Sequence, residues 1–289
     1  MNVQAYFHDL KRRLAANSQP EFEDPSYEAQ RLICDTLDWN ATAFLRAAQQ
    51  DLNQADYERL EQVAAGRLKG QPLSKILGWR EFYGRRFIVT QDTLDPRPAS
   101  EILIDFCLTW LKENHSAQQL CLADLGTGTG CLGLTLSAEL PSASLVLSDL
   151  SPAALKIAGK NAEKLGLDKR CEFLQSDWFS AFQGQEGRFD LIISNPPYIC
   201  EAQYHALAPA VRDYDPKLAL YGGLDGLEPY RRLSQEAATY LKPQGLLVLE
   251  HGFDQRQALC DLYLGKGWRL VATREDYSNM HRMLAFTRG

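Results

Sequence analysis

Leu120-Cys121-Leu122-Ala123-Asp124-Leu125-Gly126-Thr127-Gly128-Thr129-Gly130 is a short, mostly apolar run that breaks into three alternating glycines. A run of this length that stops at a turn signal reads as a strand buried on both faces, as in parallel sheets. Glycines at its end let the backbone turn sharply and let a ligand approach closely. Their spacing is neither the Gly-x-Gly-x-x-Gly of dinucleotide loops nor a phosphate cradle ending in Gly-Lys-Ser/Thr. Downstream the pattern alternates. Leu132, Leu136 and Leu140 mark a helix, 144–149 a second strand, and Ser151-Pro152 opens a helix through Leu155, Ala158, Ala162 and Leu165. Strands are predicted at 171–174, 189–195 and 245–250, with helices around 227–241 and 255–264. Segments 268–273 and 282–287 close the series as an antiparallel pair. Repeated β-α units predict an α/β fold built on a doubly wound, mostly parallel sheet.

Upstream the period is different. Residues 1–75 read as a small bundle of four or five helices, which serves as a scaffold or as a substrate-docking domain. Tyr6, Leu10 and Leu14 recur at helical spacing, Asp24-Pro25-Ser26 is a helix start, and Asn53 or Gln54 opens another helix that ends near Gly70. Residues 76–96 read as a linking β-hairpin whose turn is Gly84-Arg85. The remainder is 97–289. At its boundary Pro96-Arg97-Pro98 pins Arg97 as a structural or site-lining cation, with Glu101 able to face the same site.

Composition narrows the function classes. The chain is 45% hydrophobic and 24% charged, as expected of a packed globular protein. No apolar stretch is long enough for a membrane span, and the charged amphipathic N-terminus lacks a signal-peptide core. The seven cysteines are scattered and odd in number, which argues against a disulfide framework and for a reducing cytoplasm. The five histidines form no metal-ligand cluster, so no metal is expected. Residues 1–90 balance twelve basic against twelve acidic residues, so the net charge of −6 resides wholly in the rest. A dedicated nucleic-acid binder shows a basic face instead.

Three strand ends carry candidate ligands. Asp149 lies 23 residues beyond Gly126, opposite the glycine loop in a βαβ unit, where it can accept from both hydroxyls of a ribose or cap the next helix. Asp177 and Trp178 close the third strand, with Trp178 either packed on an adenine ring or part of the core, and Asp177 placed for the ring's amino group. The fourth strand ends in Asn195-Pro196-Pro197-Tyr198. The prolines fix φ near −65° and remove two backbone donors. Asn195 supplies an amide and Tyr198 a flat aromatic face. Together they form a grip for a planar NH2 group: the Asn195 oxygen takes one hydrogen, the Pro196 carbonyl the other, and Tyr198 covers the plane. The set implies an adenosine-bearing cofactor that needs no pyrophosphate cradle, S-adenosylmethionine.

With these motifs in place the chain resembles the class I S-adenosylmethionine-dependent methyltransferases. More closely it is similar to the HemK/PrmC family of protein-glutamine N5-methyltransferases. The likeness runs from the helical N-terminal region through 77–84, Pro96-Arg97-Pro98, 124–130 and Asn195-Pro196-Pro197-Tyr198-Ile199 to 222–227. It departs at Ala99-Ser100, where an acidic residue is common, and at Glu250-His251-Gly252, where an aliphatic residue is usual before the glycine. The resemblance implies a Rossmann-like sheet with an antiparallel C-terminal strand, behind a small helical bundle and a linking β-hairpin. It implies that Gly126, Thr127, Gly128, Thr129, Gly130, Asp149, Asp177 and Trp178 hold the cofactor, which leaves as S-adenosyl-L-homocysteine. It implies further that Asn195 touches both cofactor and substrate, and that Pro196, Pro197, Tyr198 and Arg97 shape the substrate pocket. The implied substrate is the glutamine of Gly-Gly-Gln in class I peptide-chain release factors. A glutamine of a ribosomal protein and the N6 amine of adenine in nucleic acid are the alternatives. The protein is expected to be a cytoplasmic monomer that binds neither membrane nor nucleic acid.

Overall fold

Side-chain caps and one apolar stripe per helix explain the N-terminal region. A computed structural model describes residues 1–17, 24–114 and 119–288. It divides into two units, Met1–Trp79 with Ala208–Tyr214, and Arg80–Leu207 with Asp215–Gly289. The first unit contains α1 (Val3–Ala15), α2 (Pro25–Leu37), α3 (Ala41–Arg46), α4 (Gln54–Leu68) and α5 (Leu73–Leu77). Asn2, Asp24, Asn40 and Asn53 each accept backbone N–H groups at a helix start. Tyr6, Leu10 and Leu14 of α1 pack with Leu32, Ile33 and Leu60 in one buried cluster. Each such leucine contributes roughly 1.5–3 kcal/mol by leaving water.

The hairpin is shorter than its sequence suggests. Its strands are β1 (Trp79–Phe82) and β2 (Arg85–Ile88), and its turn is Tyr83-Gly84 rather than Gly84-Arg85. Ile76 and Leu77 belong to α5, which Gly78 ends at φ 76°. Tyr83 and Gly84 both have positive φ, 50° and 69°, the pattern of the tight turns that match strand twist. A tyrosine rarely adopts this conformation. Here the Glu101 carboxylate accepts the Tyr83 N–H at 2.8 Å, and the Tyr83 hydroxyl donates to Asp105 at 2.8 Å.

The larger unit continues with α6 (Glu101–Asn114), β3 (Cys121–Leu125), α7 (Cys131–Glu139), β4 (Ser144–Asp149), α8 (Pro152–Leu165), β5 (Cys171–Gln175) and β6 (Phe189–Ser194). The short helices α9 (Glu201–His205), α10 (Pro209–Arg212) and α11 (Lys217–Leu220) follow, α10 falling in the first unit. Then come α12 (Glu228–Tyr240), β7 (Leu241–Glu250), α13 (Arg256–Leu264), β8 (Trp268–Glu275) and β9 (His281–Arg288). The seven strands lie in the order β5-β4-β3-β6-β7-β9-β8. The first five run parallel, and β9 pairs antiparallel with both β7 and β8. Residues of α6, α7 and α8 build one core cluster, and residues of α12 and α13 the other. Both faces of the sheet are therefore covered, which is why its central strands read as continuous apolar runs. Among the described residues no helix is long and apolar enough to cross a membrane.

The strand order reverses between β3 and β6. In open α/β sheets ligands bind at such a switch point, outside the carboxyl ends of the strands. Leu125 pairs with Ser194, and Ser194 with Leu249. Gly126, Asn195 and Glu250 therefore come to the same edge of the sheet.

Candidate active site

A cavity of about 440 Å³ opens at that edge, a size suited to one small molecule. Its floor is the glycine loop. Gly126 and Gly128 have φ of 66° and 55°, and a Cβ on either would meet nothing within 4 Å. Their backbone thus presents itself to open space. Gly130, at φ 81°, instead closes onto the start of α7, where a Cβ would lie 2.7 Å from Leu134. Asp124 holds the loop from below. One of its oxygens accepts from the Thr127 hydroxyl at 2.6 Å and from the Gly133 N–H at 3.0 Å. Burial pushes the Asp124 carboxyl up to about 6, against those two hydrogen bonds. Asn161 of α8 ties the loop sideways: its amide donates to Thr129 O and Ile88 O and accepts from Ile88 N–H.

Asp149 reaches the cavity from the end of β4. One oxygen accepts the Gly128 N–H at 2.9 Å and the other the Ser151 N–H at 2.9 Å. It therefore braces both loop and helix start, and each oxygen keeps a lone pair for a ligand. Burial raises its pKa. Asp177 and Trp178 also line the cavity. Both Asp177 oxygens face Arg232 at 2.7–2.8 Å. Trp178 sits at φ 53° and packs partly on the core.

Asn195, Pro197, Arg97 and Ser100 also line the cavity. Pro196 is buried, and Pro196 and Tyr198 stand behind the wall rather than on it. The Tyr198 ring packs against the core, and burial pushes its hydroxyl up to about 12. Arg97 donates to the buried carboxylate of Asp215 at 3.1 Å. Glu101 turns away to the hairpin. Two glycines clamp the Asn195–Tyr198 segment from the far side. A Cβ on Gly222 would lie 2.6 Å from Pro197 O, and one on Gly226 2.3 Å from Tyr198 O. Gln255 completes the clamp by donating to Tyr198 O and Gly226 O while accepting from Gly252 N–H.

The charge of the lining selects its ligand. Asp92, Asp95, Asp124, Asp149, Asp177 and Glu228 all contribute carboxyl groups, and the guanidiniums of Arg97 and Arg232 are engaged by Asp215 and Asp177. Such a wall repels phosphate and favours a cation. An exposed glycine backbone, the cavity-lining carboxylate of Asp149 and an acidic surround fit S-adenosylmethionine, whose sulfonium and amino groups are positive.

Sequence reasoning missed the acidic stretch 91–95, Arg232 and the bracing residues Asn161 and Gln255, and met Ser100 and Glu250 only as departures from the family pattern. A buried polar residue in an otherwise apolar strand end, as at Glu250, was the one available signal.

Comparisons with known proteins agree with this geometry. The family model for the PrmC N-terminal domain matches residues 6–78, and that for the methyltransferase small domain matches 89–211. A release factor glutamine methyltransferase from Agrobacterium fabrum is 40% identical over 266 residues, covering 92% of this chain and 91% of its own. One from Cereibacter sphaeroides is 40% identical over 273 residues, covering 94% of each chain. Among solved structures, the hMettl16 catalytic domain in complex with the MAT2A 3'UTR hairpin 6 aligns with a TM-score of 0.56. It is 18% identical and covers 78% of this chain and 81% of that one, a likeness of fold.

Proposed function

Because the chain belongs to the PrmC/HemK family of release factor glutamine methyltransferases, we propose that it methylates the side-chain nitrogen of the glutamine in the Gly-Gly-Gln motif of peptide-chain release factors. It is an S-adenosylmethionine-dependent protein-glutamine methyltransferase. The observation that carries the substrate reading is the meeting of Asn195 and the glycine loop in one acid-lined cavity. When bound, the cofactor supplies a methyl group on a positively charged sulfur.

The chain's own task is to make a poor nucleophile react. An amide nitrogen has its lone pair delocalised into the carbonyl. Asn195 Oδ1 accepts one N–H of the substrate amide, and the Pro196 carbonyl, set back from the cavity wall, accepts the other from a substrate amide that reaches past the lining. This grip turns the nitrogen toward the methyl carbon, which supplies the proximity effect. It also stabilises the positive charge that develops on nitrogen as the new bond forms, the cationic counterpart of an oxyanion hole. The extra proton leaves the nitrogen for solvent. Trp178 would cover the adenine, and a lone pair of Asp177 not taken by Arg232 would accept from its amino group. Tyr198, fixed from behind, sets the rigidity of the grip, and Pro197 and Arg97 border the substrate. The cytoplasm, where release factors act, is the corresponding location.

Asp149→Ala is expected to weaken S-adenosyl-L-homocysteine binding at least about tenfold, the loss of a charge-assisted hydrogen bond. Calorimetric titration reads this directly, and an unchanged affinity would remove Asp149 from the cofactor site. Residues 1–75 are proposed to dock the protein substrate. Their deletion should spare cofactor binding and sharply reduce methylation of whole release factor, and equal turnover by the truncated enzyme would refute that role. The reading as a whole is tested by mass spectrometry of purified release factor after incubation with the enzyme and S-adenosylmethionine. One added methyl on the glutamine of Gly-Gly-Gln is the expected result. Methylation of a ribosomal protein or of adenine, with release factor untouched, would overturn it.

A further inference from the structure

Glu250 ends β7 beside Asn195. Ser194 pairs with Leu249 in the parallel ladder, so Asn195 and Glu250 emerge side by side from adjacent strands. Glu250 is 2% exposed and stands behind the cavity wall, between two residues that line it, Ser100 and Asn195. The Ser100 hydroxyl donates to Glu250 Oε2. Asn195 stands next to that carboxylate on the neighbouring strand, and its side chain is one of the groups that lower the Glu250 pKa. The Tyr230 hydroxyl donates to the Glu250 backbone carbonyl at 2.7 Å and fixes the strand end.

An amide side chain has two orientations related by a half-turn, one presenting oxygen and the other NH2. Only the first grips a substrate NH2 group. An ionised carboxylate accepts and never donates, so it admits only the Asn195 NH2 end. We propose that Glu250 is a positioning residue that locks the Asn195 amide with Oδ1 toward the cavity, and so sets the polarity of the substrate grip. This inference rests on the function proposed above.

A pH signature follows. Burial pushes the Glu250 carboxyl up to about 7, opposed by Ser100, Arg282, Arg97 and Asn195. Tyr198, Cys131 and Tyr230 are the other titratable groups that sense it. As pH falls through about 7 the carboxyl gains a proton, becomes able to donate, and ceases to discriminate between the two Asn195 orientations.

The test compares wild type with Glu250→Gln, in methylation of purified release factor between pH 5.5 and 9 and in the side-chain amide resonances of protein labelled with ¹⁵N at asparagine. Wild type should lose kcat on the acid side with a midpoint near 7. Glu250→Gln should lack that limb and have a kcat lower by at least about tenfold, the order expected for a misplaced reacting group, with KM and S-adenosyl-L-homocysteine affinity held. The Asn195 amide resonances, assigned by their loss in Asn195→Ala, should titrate near pH 7 in wild type and stay fixed in Glu250→Gln. Because the folded-state pKa is raised, ionised Glu250 costs stability above about pH 7. Glu250→Gln should therefore melt no lower than wild type at pH 8, whereas a purely structural role would lower the melting point. A Glu250→Gln enzyme that keeps the wild-type rate and acid limb overturns the proposal, as does an Asn195 amide indifferent to pH. Wild type that leaves release factor unmethylated removes the functional reading, and the amide titration then decides the role of Glu250 alone.

Discussion

Asn195→Ala is expected to lower kcat for glutamine methylation by about 10²-fold or more, the scale of losing one preorganised electrostatic partner. The side chain leaves β6 at the level of the glycine loop, and Pro196 immediately follows to fix its backbone. Alanine removes one of the two acceptors proposed to meet the charge that grows on the attacking nitrogen. It also removes a fixed point that aims the lone pair. Both effects belong to the transition state, so kcat should fall while KM for release factor changes little. Cofactor affinity should move only a few-fold, because the glycine loop and Asp149 remain. Single-turnover methyl transfer with saturating release factor separates these quantities. Turnover at the wild-type rate would sink the assignment of Asn195.

The second large effect is expected at Gly226. Its φ is 74°, and an added Cβ would stand 2.3 Å from Tyr198 O and 2.7 Å from Gln255 Nε2. The first of these atoms is backbone and cannot swing aside. Gly226→Ala must therefore shift either its own turn or the Asn195–Tyr198 segment, and it breaks the Gln255 bridge in doing so. We expect a loss of about 2–4 kcal/mol in stability, within the range of overpacking plus backbone strain. Methyl transfer should fall further than stability alone explains, because the displaced segment carries the grip. Gly187→Ala is the control. Gly187 also has positive φ, 64°, but a Cβ there meets nothing within 4 Å, so it reports backbone strain alone, about 1 kcal/mol. Thermal melting and methylation rates of the two variants give the comparison. A Gly226→Ala protein no worse than Gly187→Ala in both would contradict the clamp.

Local signals were readable in the sequence, and long-range ones were not. The glycine loop, the strand ending at Asp149 and the helix opened by Ser151-Pro152 are written in consecutive residues, and they stand where the pattern puts them. The hairpin turn was displaced by one residue because a tyrosine at positive φ is stabilised by Glu101, eighteen positions away. The helices α9, α10 and α11 are only four or five residues long and carry no side-chain cap, so nothing in their periodicity announces them. Tyr198 was expected on the cavity wall from its neighbours in the chain, but the core behind β6 draws its ring inward. Asn161, Gln255 and Glu250 take their meaning from partners 29 to 150 residues away. A single polar letter among apolar ones marks such a residue without naming its partner.

Asn161 has a bearing on how this chain could be recombined. Its amide serves the β2 strand and the glycine loop at once, through both backbone groups of Ile88 and the carbonyl of Thr129. A chimera that kept β3 to α8 and lacked β2 would leave the Asn161 oxygen and one of its protons without their partners. The hairpin therefore travels with the glycine loop as one graft.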